Sequence, residues 1–222
     1  MPSEIRRMSA KPTRRALVAV EAVRGRDAER GAALVRAVLS KRDTAGAGIS
    51  HWDASGTFFE MLLGGRKNLT LSPRTLLLLY ASDLAFRLRW EIQPAVAAGQ
   101  VVIAASYTET AIAFGEAAGV PRKWIVELFR YAPRPDLCLH VKDAKDGAPW
   151  KSRAMDGFPE FGAAVLSPGQ PSRKRSSGRR EQAVEALHRL KRESGCNNLR
   201  RKHLGRIVKR LRDGKRGAFE DE

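Results

Sequence analysis

Residues Ala16–Leu39 read ALVAVEAVRGRDAERGAALVRAVL. The apolar run ALVAV gives way to a polar turn and then to apolar residues at helical spacing, so the stretch reads as strand, turn and amphipathic helix. Strand–turn–helix is the frame in which a glycine-rich loop holds phosphate against a helix N-terminus. Such a loop needs glycines so that backbone N–H groups can close around phosphate. It also needs a Lys for the outer phosphates and a Ser or Thr hydroxyl for magnesium. The turn here supplies Ala22, Arg24, Gly25, Arg26, Asp27, Ala28 and Glu29. The frame is present without the phosphate-holding chemistry.

Outward from this unit, strands and helices alternate. Ala16–Val20 is expected as a buried strand and Glu29–Lys41 as the helix after it, followed by a turn-rich link at Asp43–Ser50 and a short helix at Thr57–Leu63. Ser72-Pro73 has the pattern of an N-cap with Pro in the first helical position. It opens a long helix to about Arg89, apolar on every side at Leu76–Tyr80; Glu91–Ala98 continues it and Gly99 ends it. Val101–Ala105 and Asp136–Val141 read as strands, with helices at Thr108–Ala118 and Pro121–Tyr131 between them and a last strand at Phe161–Leu166. This order predicts an α/β fold, a three-layer α/β/α domain on a mostly parallel sheet.

Ser167–Arg180 mixes Pro, Gly and Ser with basic residues and reads as a linker. Beyond it, apolar stripes at Ala183, Val184, Leu187, Leu190 and at Leu204, Ile207, Val208, Leu211 predict two helices with a turn at Ser194–Asn197. The expected division is a basic arm over 1–15, the α/β domain over 16–168, a linker over 169–180, and a basic helical hairpin and tail over 181–222.

Charge follows the same division. The 222-residue chain carries a formal net charge of +17, with 41 Lys and Arg against 24 Asp and Glu. Residues 16–168 hold 19 basic and 16 acidic side chains; residues 169–222 hold 17 and 7. A basic tail on a nearly neutral domain points to an acidic partner, nucleic acid or protein, contacted by Arg173, Lys174, Arg175, Arg179, Arg180, Arg200, Arg201, Lys202, Lys209 and Arg210. Few aromatics are interleaved, so the tail would grip phosphates without reading sequence.

No apolar run is long enough to span a membrane and the N-terminal residues lack a signal-peptide core, so a cytoplasmic location is expected. The two cysteines, Cys138 and Cys196, are far apart in sequence, and a buried thiol is expected at Cys138 rather than a disulfide. The four histidines show no metal-ligand spacing; no metal and no cofactor are expected.

The segment LSPRTLLLLYASDLAFRLRWEIQPAVAAGQVVIAASYTETAIAF, Leu71–Phe114, resembles the thymidylate kinase family, and the resemblance extends over about residues 16–142. It implies a P-loop-NTPase-like fold and association through the long helix, at Leu77 and Leu78, as a homodimer or heteromer. The family's positions for phosphate chemistry are altered one after another. Its loop, Glu-Gly-x-Asp-Gly-x-Gly-Lys-Ser, falls without gaps on Glu21–Glu29, where only Glu21 and Gly25 match. Its Lys is replaced by Ala28 and its magnesium hydroxyl by Glu29. Its strand-end Asp-Arg before Tyr107 is Ala105-Ser106. Its Arg after Asp83 is Leu84, and its Arg-Glu-Pro-Gly-Gly-Thr segment resembles Trp52-Asp53-Ala54-Ser55-Gly56-Thr57.

Phosphoryl transfer depends on positioning and on neutralising charge, and these changes remove both. The expected protein is a degenerate kinase without catalytic residues, a scaffold or regulatory subunit. The alternative is a divergent nucleotide-binding protein or dTMP kinase with relocated catalytic groups.

Overall fold

A computed structural model describes residues 15–23, 25–40, 47–58, 60, 71–141, 182, 185–193 and 197–198. Five strands pair in parallel: β1 (Ala16–Glu21), β2 (Ala47–His51), β3 (Val101–Ala105), β4 (Leu137–His140) and β5 (Asn197–Asn198), in the spatial order β2-β3-β1-β4-β5. Strands β1 and β3 are buried at every position, as central strands covered on both faces must be. Their register sets Val18 against Ile103 and Val20 against Ala105. These observations bear out the α/β fold with a parallel sheet.

One sheet face carries α1 (Gly25–Ser40), which buries Ala28, Ala32, Val35 and Leu39 against Val18, Val20 and Ile103. The other carries α2 (Pro73–Arg87), α4 (Thr108–Ala117) and α5 (Arg122–Leu128), whose Leu76, Leu77, Tyr80, Ala111 and Ile125 pack with Leu17 and Val102. Ser72 caps α2 as its sequence predicts: its Oγ accepts the Thr75 N–H at 3.1 Å, with Pro73 inside the first turn. The helix runs on through a π-helical turn at Leu88–Ile92 into α3 (Gln93–Ala97). Gly99, at φ 83, supplies the left-handed residue that ends it.

Five expectations change. Helix α1 begins at Gly25, a full turn before Glu29, because Ala28 favours helix and Asp27 complements the dipole of the first turn. Strand β2 lies within the segment read as a turn-rich link. Its sequence, AGISH, is short and only Ser50 is buried, so it carries no clear alternation. Pairing with β3 supplies what local sequence does not.

The C-terminal helix α6 (residues 185–193) is not set apart from the α/β domain. Its Ala186, Leu187 and Leu190 pack with Val23 and Ala113, and Arg122 pairs with Glu193. The position read as a turn between two tail helices, Asn197, opens β5 beside β4. Parallel neighbours require a crossover, and α6 lies on that path. Finally, Cys138 is disulfide-bonded and not the expected buried thiol; the sequence has one other cysteine, Cys196, which lies outside the described residues. Distance along the chain concealed an adjacency that the β4–β5 pairing creates, since Leu139 faces Asn197. Residues 1–14 of the basic arm, the strand expected at 161–166, the linker and residues 199–222 lie outside the described residues.

Candidate functional site

Ligands of open parallel sheets bind at the carboxyl ends of the strands, and the altered family positions gather there. Glu21 ends β1 and Gly25 starts α1, so three residues connect them. A phosphate cradle of the G-x-x-x-x-G-K-[ST] type needs a longer loop, with N–H groups turned inward. Here Ala22 and Ala28 are fully buried and Asp27 is nearly so. Glu29 turns outward to His51, 3.5 Å away. Arg24 and the Arg26 side chain lie outside the described residues.

Glu21, one of the two matches to the family loop, is fully buried. It accepts hydrogen bonds from the backbone N–H groups of Tyr107, Glu109 and Thr110, each at 3.1 Å, and from the Thr110 hydroxyl at 2.5 Å. These N–H groups are the free donors at the start of α4, so Glu21 fills that helix's anion-binding end with the chain's own carboxylate. Burial, followed by repulsion from Glu109, raises its pKa above the usual carboxylate value; the hydrogen bonds from Thr110 and Tyr107 pull the other way.

Asp53, Asp83, Trp52 and Tyr107 also hold structure in place. Asp83 is buried on α2 and accepts the N–H of Asp53 at 2.9 Å, the N–H of Ser55 at 3.0 Å and the Ser55 hydroxyl at 2.9 Å. Asp53 adopts the left-handed φ of 57, which Asp tolerates better than most residues, and its Oδ1 accepts the Phe58 N–H. Two carboxylates thus tie the loop after β2. Trp52 packs edge-on against Phe58. Leu84, where the resembling family has Arg, is fully inside the core. The Tyr107 hydroxyl donates to the Pro133 carbonyl, and burial raises its pKa.

Sequence reading missed Arg87. It is fully buried beneath Ala105-Ser106, a pair joined by a cis peptide bond, and donates to the Ser50 hydroxyl, the Ser50 carbonyl and the Ser106 carbonyl, each at 3.0 Å. Its Nη1 has no hydrogen-bond partner among the described residues. The signal was an Arg on the buried side of a helix, three residues after Leu84 and so on the same face. Glu91 accepts from the Ser50 hydroxyl at 2.6 Å, which places a carboxylate one hydroxyl away from the guanidinium.

A second grouping was also missed. Glu109, Cys138 and His140 place their ligand atoms within 4.8 Å of one another. His140 Nε2 lies 2.7 Å from Glu109 Oε2. The pairing of Cys and His two residues apart is visible in the sequence, whereas Glu109 reaches them only through the fold. Of the proposed self-association pair, Leu77 is buried in the core and Leu78 is half exposed.

No protein-family model matches the chain. It is similar to proteins named probable thymidylate kinase. The Staphylothermus marinus protein is 33% identical over 85 residues, 38% of this chain and 43% of that one. The Pyrococcus abyssi protein is 37% identical over 84 residues, 38% and 41% of the two chains. The Caldivirga maquilingensis protein is 36% identical over 72 residues, 32% and 35%. The matched segments thus span well under half the length of these relatives.

Proposed function

We propose, from a family relationship to the thymidylate kinases, that this chain keeps the kinase-like α/β scaffold and no longer transfers phosphate. The three-residue β1–α1 connection carries this reading. With Ala28 in place of the Lys and Glu29 in place of the hydroxyl, the start of α1 lacks both the cation for triphosphate and the hydroxyl that would ligate its magnesium. Asp27 in the first helical turn repels the anion that such a site would hold. Glu21, meanwhile, closes the second helix N-terminus.

The role left to the fold is that of a scaffold or regulatory subunit. It associates through the outer face of the long helix, where Leu78, Phe86 and Trp90 are 49%, 40% and 63% exposed. The basic C-terminal residues contact nucleic acid or an acidic protein. Calorimetry with magnesium–ATP tests the central part: no submillimolar binding is expected. Saturable binding that survives Glu21→Gln but is lost on Arg87→Met would support the alternative, a kinase with relocated cationic groups.

A further inference from the structure

The Glu109–Cys138–His140 grouping combines carboxylate, cysteine sulfur and imidazole, a ligand set suited to zinc once the sulfur is reduced. Cys138 and His140 alternate along β4 and so project from one face of that strand. Glu109 comes from the first turn of α4. His140 is 3% exposed, and its Nδ1 is buried without a hydrogen-bond partner among the described residues. Glu21 stands opposite His140 in the β1–β4 register and adds a buried carboxylate to the neighbourhood. The cluster therefore gathers negative charge and donor atoms around the Nε2 side of the imidazole. A divalent cation bonded to Nε2 offsets that charge and leaves Nδ1–H as the donor on the far side of the ring.

The disulfide at Cys138 keeps its sulfur from acting as a thiolate ligand. We propose that the reduced chain binds one zinc ion through Cys138, His140 and Glu109, and that the disulfide excludes the ion from the oxidised chain. A dithiol reductant converts the Cys138 disulfide to two thiols while itself becoming a disulfide, and the Cys138 thiol proton is released as the metal binds. Zinc bonds of about 2.0–2.3 Å set tetrahedral ligands about 3.3 Å or more apart. The 2.7 Å contact between His140 and Glu109 then opens by roughly half an ångström, a shift within side-chain reach.

Cobalt(II) titration of the full chain provides the test, because a thiolate ligand gives a charge-transfer band. With the chain reduced by dithiol and the reagent then removed under anaerobic conditions, one equivalent should bind with that band, and zinc should displace it. The oxidised chain should show no band. Cys196→Ser, which leaves Cys138 as a thiol, should bind without reductant. Glu109→Gln and His140→Ala should each weaken binding by more than the 10- to 100-fold typical of losing an outer-shell partner.

Absence of the band in the reduced parent, or unchanged affinity in both ligand variants, overturns the proposal. If the reduced chain loses its fold, zinc is added before the dithiol; failure of zinc to preserve the circular dichroism spectrum is also a negative result.

Discussion

Glu21 joins two elements of the fold through one buried carboxylate. Its four hydrogen bonds join the end of β1 to the start of α4. Its folded pKa is raised above the ordinary 4.5, so the folded state binds the proton more tightly than the unfolded state does. The stability from this group is therefore complete below pH 4.5 and is lost as pH rises through the folded value. Glu21→Gln has no proton to exchange. Between the two pKa values, the parent should lose stability relative to the variant by up to about 1.4 kcal/mol per pH unit. Urea unfolding of both proteins across pH 4–8 measures this, and parallel stability curves would remove the role assigned to Glu21.

At the scale of elements, the strongly patterned pieces were readable and the marginal ones were not. Strands β1 and β3 announce themselves as continuous apolar runs, and α2 by its Ser-Pro start. Strand β2 and the two-residue β5 exist because neighbouring strands offer hydrogen bonds, a property of the sheet that their own residues do not encode. Helix α6 was readable as a helix. Its docking was hidden, since Leu187 and Leu190 form a stripe that fits a hairpin or a domain surface equally well. Leu187→Ala should cost about 2–5 kcal/mol in thermal or urea unfolding because it opens a cavity against the α4 surface. A loss of only a few tenths would show that α6 does not belong to the core. The site followed the same logic: missing loop chemistry could be listed from sequence, whereas the contacts of Arg87 and the Glu109–His140 pair depend on crossovers.

For the whole molecule, the proposals concern what the outer faces meet. Leu78→Asp and Trp90→Asp should each lower the mass seen by light scattering towards one subunit while leaving the fold intact, because both side chains face solvent within the chain. A parent protein that is already monomeric contradicts self-association through this face. If the basic C-terminal residues bind nucleic acid, neutralising Arg200, Arg201 and Lys202 together should flatten the salt dependence by about 2–3 in log–log slope. It should do so equally for all sequences; binding that is insensitive to salt points to a protein partner instead.

The most direct test of the central claim is transfer of labelled phosphate from magnesium–ATP to dTMP by the purified 222-residue chain, assayed with and without dithiol. The collapsed β1–α1 connection predicts no dTDP above that formed by heat-inactivated protein in either state. Dose-dependent dTDP formation that saturates with both substrates would contradict it.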